Sequence, residues 1–177
     1  MDRIERERAF HNERFADGDD RTAQDKYYAA LESCFDAYRS EVRSQATGRV
    51  ALEYGCGHGD TIIALAPVAK RAVGIDISDA AVAQGSARIE RLGLANAALH
   101  QMNAEAMTFE DASFDLVFGS GILHHLDLER ACAEIRRVLK PGGRALFVEP
   151  LGHNVVINAY RALTPNVRTP DEHPLLK

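Results

Sequence analysis

The chain has 177 residues, 46% of them hydrophobic and 27% charged, with a formal net charge of -5 at pH 7. That length suits one domain with a real core, and the acidic balance argues against broad nucleic-acid or anionic-membrane binding, which needs clustered positive charge. The longest apolar run, Ile62–Ala69, is far short of the roughly 18 residues that span a bilayer, and the charged start MDRIERER lacks the apolar stretch of a signal peptide, so a cytoplasmic protein with no membrane span is expected.

Residues 1–23 are charged and carry the breaker cluster Asp17-Gly18-Asp19-Asp20. Tyr28, Leu31, Phe35, Tyr38 and Val42 then recur at spacings of three and four, which predicts an amphipathic helix of about 20 residues, ended by Thr47-Gly48. Val50–Tyr54 reads as a short strand, followed directly by Gly55-Cys56-Gly57-His58-Gly59 and a helix from Asp60 to Ala66 closed by Pro67. Arg71–Ile75 is a second strand ending at Asp76. Ser78 is a good N-cap for a helix running to about Leu92, with Gly93 at its stop. Gly85 inside that helix weakens it by roughly 1 kcal/mol relative to Ala. Ala98–Met102 is a weaker third strand and Phe114–Phe118 a fourth. Asp127 caps a helix from Leu128 to Leu139, on whose apolar face Cys132 reads as core. Pro141-Gly142-Gly143 turns into a fifth strand, Arg144–Glu149, and Asn154–Leu163 is a short helical candidate before a Pro-rich tail. Of the three cysteines, Cys34, Cys56 and Cys132, none forms a CxxC pair, so reduced thiols are expected.

Strands alternating with helices at this spacing mean βαβ units, a parallel sheet and helices on both faces, with ligands at the carboxyl ends of the strands. The glycine loop is the chemical centre. Gly55 allows a tight turn, Gly57 lets a ligand approach the backbone, and Gly59 lets the next helix pack closely. Asp76, at the tip of the second strand, can accept from both hydroxyls of a ribose. A dinucleotide site wants GxGxxG with a helix N-terminus aimed at pyrophosphate. Here the spacing is GxGxG and Glu53 precedes it. A carboxylate opposes a pyrophosphate but suits the ammonium of a methionine moiety, which favours S-adenosylmethionine (SAM).

ALEYGCGHGD resembles motif I of the class I SAM-dependent methyltransferases, and VGIDIS resembles the segment carrying their ribose-binding acid. NAEAMTFEDASFDLVFGSGILHHL followed by RVLKPGGRALFVEP is similar to the later motifs of the small-molecule methyltransferases typified by ubiquinone and menaquinone biosynthesis. The match covers about residues 48–150. The resemblance implies an α/β, Rossmann-like three-layer sandwich with a mostly parallel sheet. It also implies three parts: a helical cap over residues 1–47, the SAM-binding core over 48–150, and a helix and tail over 151–177. By position it implies that Glu53 faces the methionine end of SAM, partly through water. The loop Gly55, Cys56, Gly57 and Gly59 lines the amino-acid and ribose parts, Asp76 holds the ribose, and Ile77 packs on adenine. Asn103 stands where the family often has Asp and offers its amide oxygen to the adenine amino group. Ala104 meets a ring nitrogen through its backbone amide with Glu105 beside it, and Gly119 offers its carbonyl to the ammonium.

Methyl transfer from a sulfonium is an in-line displacement that mainly needs alignment and exclusion of water. A base is required only where the acceptor keeps its proton. His124 and His125 follow the fourth strand, near where the methyl group would sit, and one of them is a candidate base. The competing reading is that His125 packs or caps at the start of the next helix. His58 reads as a solvent-facing loop residue. His11, in AFHNERF, resembles the N-terminal segment that folds over SAM in related enzymes, and a lid role stands beside plain packing. Tyr27 and Tyr28 are candidates for stacking on a substrate, with core packing the competing reading for Tyr28. The seven histidines show no spacing such as HExxH, so no metal is predicted.

The family's sheet has seven strands, and this sequence resembles it only through the fifth. A fragment and a naturally short variant both fit that pattern. The fifth strand would then be a sheet edge, which invites covering by residues 151–177 or by a second copy in a homodimer. Two functions follow: a methyltransferase acting on a small-molecule acceptor, or a SAM-binding protein without turnover. A nucleotide-cofactor oxidoreductase is disfavoured by GxGxG and Glu53. The Asn/Asp-Pro-Pro-Tyr/Phe segment of amino-group DNA methylation is replaced by Gly119-Ser120-Gly121-Ile122, which favours a small molecule over nucleic acid.

Overall fold

A computed structural model describes residues 2–16 and 25–149, with side chains from 32 onward in the second segment. Five strands, β1 (Val50–Tyr54), β2 (Arg71–Asp76), β3 (Ala97–Gln101), β4 (Phe114–Ser120) and β5 (Leu139–Val148), form one sheet in the order β3-β2-β1-β4-β5. Every pairing is parallel. The helices are α1 (Arg3–Ala16), α2 (Asp25–Ala46), α3 (Asp60–Leu65), α4 (Asp79–Arg91) and α5 (Leu128–Val138), with a 3-10 turn at Leu123–His125.

Alternation along the strands builds two cores. Ala51, Leu116 and Phe118 face Val42 and Ala46 of α2, Ile62 and Leu65 of α3, and Val82 and Ile89 of α4. Leu52, Tyr54, Phe114 and Val117 face Ile135 and Val138 of α5. This is the expected three-layer sandwich. Strand order reverses between β1 and β4, which directs ligands to the carboxyl ends of those strands.

Ser78 caps α4 as expected, accepting from the Ala81 amide at 3.1 Å, and Asp127 caps α5, accepting from the Arg130 amide. Several expectations are corrected. Periodicity marks no element in the charged N-terminal stretch, which only the resemblance assigns to a helical cap; α1 forms there, with half-buried residues docked on the rest of the molecule. β5 starts at Leu139 rather than Arg144: Leu139 pairs with Phe114 before Lys140–Gly143 bulge out and pairing resumes at Arg144 with Leu116. Cys132 is exposed, not core, since α5 turns only Ala131, Ile135 and Val138 inward. The Asn154–Leu163 helix and the side chains of Tyr27 and Tyr28 lie outside the described residues. β5 is the edge of the described sheet. Beside it runs an apolar groove of about 580 Å³ lined by Leu123, Cys132, Ile135 and Phe147.

Gly85 proves to be required rather than merely tolerated in α4. A Cβ there would lie 2.5 Å from the His58 carbonyl oxygen and 2.4 Å from Leu99 Cδ1, so glycine is what lets the helix lie against the glycine loop. Helix propensity alone favours Gly85→Ala by about 1 kcal/mol; overlap with a backbone carbonyl reverses the sign. The substitution is expected to destabilise by about 1–3 kcal/mol, read from urea unfolding midpoints. A stabilised variant would refute the close approach.

Candidate functional site

The glycine loop leaves β1 in left-handed turns, with φ of 67° at Gly55, 50° at Gly57 and 75° at Gly59. These conformations strain any side-chain-bearing residue. The Asp76 carboxylate holds the loop in place. Its Oδ2 accepts from the Gly57 amide at 2.8 Å and its Oδ1 from the Ser78 amide at 2.9 Å. An ionised carboxylate has about four lone-pair positions, so each oxygen keeps capacity for a ligand hydroxyl. Ile75, Ile77, Met102, Asn103 and Ala104 continue the cleft wall from Asp76. Met102 is a lining residue that sequence reasoning missed, because a thioether after a strand carries no chemical signal.

Glu53 stands at the end of β1, just before the loop, in register with Gly74 of β2. Its Oε2 is sealed from solvent without a hydrogen-bond partner. Burial pushes its carboxyl up to about 8; a hydrogen bond with Thr61 opposes that shift, and the Asp76 and Asp60 carboxylates add to it. Tyr38 of α2 reaches the same region. Its hydroxyl is held protonated chiefly by burial and then by Glu53, with a backbone hydrogen bond at Gly119 opposing. The helical stripe placed Tyr38 on a helix face but gave no sign that it meets Glu53. Burial, reinforced by Asp76 and Glu53, also raises the Cys56 thiol far above its ordinary range, which leaves it inert as a nucleophile.

Asn103 and Glu105 have internal partners. Asn103 Oδ1 accepts from the Glu105 amide at 2.9 Å, closing a short turn. Buried Glu105 pairs with Arg3 and accepts from the Asp127 amide at 2.9 Å, so it ties α1 and the start of α5 to the cleft. Gly119 pairs in register with Tyr54 and Phe147, and a Cβ there would meet Ile122 and Phe147 at 2.8 Å.

The two neighbouring histidines have different surroundings. His124 is buried, with Nδ1 2.8 Å from Glu149 Oε2. Glu149 Oε1 also accepts from the Ile122 and Leu123 amides, at 2.8 and 2.9 Å. The end of β5 therefore clamps the turn that follows β4, a role for Glu149 that the sequence did not reveal. His125 instead turns toward α1: its Nδ1 lies 3.4 Å from Glu7 Oε2, and its ring centroid is 5.6 Å from that of His11. Capping α5 falls to Asp127, not His125. His58 is half-buried rather than solvent-facing, because Phe15 of α1 packs on it with ring centroids 4.7 Å apart. Asn12 of α1 accepts from the Ser78 hydroxyl at 2.7 Å and donates to Asp79 at 2.6 Å. α1 thus lies across the cleft and leaves a cavity of about 60 Å³ beneath it.

The sheet order, the glycine loop and the strand-tip carboxylate define the Rossmann-like fold of the class I SAM-dependent methyltransferases. Residues 52–147 match the family model described as "Methyltransferase domain", and the chain belongs to that family. It is 34% identical over 99 residues to an uncharacterized methyltransferase, YcgJ, of Bacillus subtilis, covering 55% of this chain and 39% of YcgJ. The crystal structure of YcgJ superposes with a TM-score of 0.68 at 26% identity, over 80% of this chain and 63% of that one. A demethylmenaquinone methyltransferase of Bacillus cereus is 36% identical over 106 residues, 58% of this chain and 45% of the relative. A phosphoethanolamine N-methyltransferase of Haemonchus contortus, solved with phosphoethanolamine and S-adenosylhomocysteine, shares the fold at a TM-score of 0.68 and 20% identity, over 85% of this chain and 33% of that one. The chain spans less than half the length of these two curated relatives.

Glu149→Ala removes an almost fully buried acceptor of three hydrogen bonds. It is expected to lower stability by about 2–4 kcal/mol in chemical denaturation. A change below about 0.5 kcal/mol would show that the turn after β4 does not depend on it.

Proposed function

We propose that this chain binds SAM in the cleft at the carboxyl ends of β1, β2 and β4 and transfers its methyl group to a small-molecule acceptor. The observation that carries this reading is the presence of two carboxylates beside one glycine loop. Asp76 is set to accept from vicinal hydroxyls, and Glu53 has a sealed, unpartnered oxygen awaiting a cation. That donor set fits a nucleoside joined to an amino acid. The cavity of about 60 Å³ is well below the roughly 300 Å³ of ordinary small-molecule sites, so α1 shifts to admit the cofactor and closes over it.

SAM, when bound, supplies an electrophilic methyl group on its sulfonium. The residues of this chain bind, orient and exclude water. Asp76 accepts from the ribose hydroxyls. Ile77 and Met102 pack on the base, whose edge meets Asn103 and the Ala104 amide, while Glu105 holds that segment in place. Glu53, with the Gly55 and Gly119 backbones, receives the methionine ammonium. Cys56 and Gly59 shape the loop, Cys56 by filling the core beneath it. His125, with His11 of α1, lies on the side left for the acceptor, and Glu149 positions His124. A small acceptor is supported by the Gly119–Ile122 segment and by the name of the demethylmenaquinone methyltransferase relative. Cover for the β5 edge by residues 151–177 or by a second copy, and a cytoplasmic location, belong to the same reading.

Two measurements test it. Calorimetric titration of the folded chain with SAM should show saturable binding that weakens at least about 100-fold in Asp76→Ala, as expected for loss of two charge-assisted hydrogen bonds. A folded wild-type chain that binds no SAM would overturn the reading. The second follows from Glu53. Its raised carboxyl means the folded, unliganded chain holds a proton that the unfolded chain has lost, so stability falls as pH rises from 4.5 to about 8. An ammonium needs the carboxylate, so binding at pH 7 should release a proton, and affinity should rise about tenfold per pH unit below that. Titrations in buffers of different ionisation enthalpy should show this release in the wild type and not in Glu53→Gln.

A further inference from the structure

We infer that Glu7, His11 and His125 form a binding site for a divalent first-row transition-metal ion at the mouth of the cleft, bridging α1 to the turn after β4. Glu7 and His11 stand at positions i and i+4 on α1, which places them on one helix face. The 3-10 turn brings His125 to the same point from a position 114 residues further along the chain. One ligand atom from each of the three residues lies within 4.8 Å of the other two.

The spacings, those of Glu–His ion pairs, also suit a shared ion. Glu7 Oε2 is 3.5 Å from His11 Nε2 and 3.4 Å from His125 Nδ1. Both exceed the usual 2.7–3.2 Å of an N–H···O bond. Both match the edge of a tetrahedron, about 3.4 Å, that metal–ligand bonds of about 2.1 Å produce. The side chains are 8%, 16% and 13% exposed, so the three groups are largely withdrawn from bulk water. Two imidazoles and one carboxylate are a donor set for zinc, iron, cobalt or manganese rather than for calcium or magnesium.

Their surroundings hold the rings in place. His11 packs edge-on to Phe10 and stacks with Phe15, with centroids 5.4 and 6.3 Å away. The His125 carbonyl accepts from Arg3 at 2.8 Å, and Arg3 is itself neutralised by Glu105. Three protein ligands leave at least one coordination position open, and the cavity they border also touches Gly55 and Asp76. That position suits an oxygen donor, a water or a hydroxyl of a small molecule, whose proton the ion would make easier to lose. The histidine spacing HExxH is not the only route to such a site: here one ligand pair comes from helix periodicity and the third ligand from the fold.

The test uses the tag-free, metal-stripped full chain with exposed Cys34 and Cys132 alkylated, so that thiols do not compete. It is titrated with cobalt(II) chloride in the absence of SAM, followed by calorimetry and by the visible ligand-field spectrum. One equivalent should bind saturably with bands of a nitrogen–oxygen site. His11→Gln and His125→Gln should each weaken binding at least about tenfold, with unchanged circular dichroism. Glu7→Gln, which keeps shape and removes the charge, should do the same. A wild-type chain that binds no cobalt, or binds it equally well in all three variants, overturns the site. Because no cofactor is present, failure here is separate from failure to bind SAM.

Discussion

The Asp76 carboxylate is the interaction on which the site is built. It stands at the end of the second strand and accepts from one amide of the glycine loop and one amide at the start of α4. Without that acceptor, two amides in a water-poor corner would have no partner, at a cost of about 1–3 kcal/mol each. The left-handed backbone of the loop would also lose its anchor. The helix that begins beside it is then held tight by the absence of a side chain at Gly85, so strand tip, loop and helix form one rigid piece. A rigid acceptor at a fixed place is what recognition of vicinal hydroxyls requires.

A second buried carboxylate does similar work at the end of the edge strand of the described sheet. Glu149, at the end of β5, gathers two amides of the turn after β4 and the ring of His124. That arrangement leaves His125 facing α1. The neighbouring histidines therefore have separate roles: one is part of the scaffold and the other lines the cleft. Helix α1 is fastened at several points along its length, through Arg3 to Glu105, through Asn12 to Ser78 and Asp79, and through Phe15 to His58. Most of these contacts are single polar bonds or ring edges rather than core packing.

Charge is distributed unevenly across the loop. Asp76 is satisfied by protein amides, whereas Glu53 is buried with an oxygen left over and Tyr38 beside it. A buried carboxylate without a cation keeps its proton. Under the proposed reading, a positive group entering the cleft would displace that proton, which would couple its binding to pH within the range where the carboxyl titrates.

Much of this was legible in the sequence because it depends on neighbours in the chain. The β1–loop–α3 unit, Asp76 at the strand tip and the Ser78 and Asp127 caps follow from local periodicity and turn chemistry, which act over a few residues. The family motifs extend the same local information. The start of β5 was misplaced because Lys140–Gly143 bulge only once Leu139 has paired with Phe114, a contact between distant residues. Cys132 was read as core because apolar spacing names a stripe but not how wide a stripe the sheet covers. The bounds of α1 are not legible from periodicity, because its charged residues gain partners only when it docks. The sequence alone determined the fold class, the glycine loop and the carboxylate at the tip of β2, since these rest on short-range constraints. Only the tertiary structure decided that Glu7, His11 and His125 meet, that Glu149 holds the turn after β4 and that Tyr38 faces Glu53, since each joins segments that nothing in the local chain requires to be close.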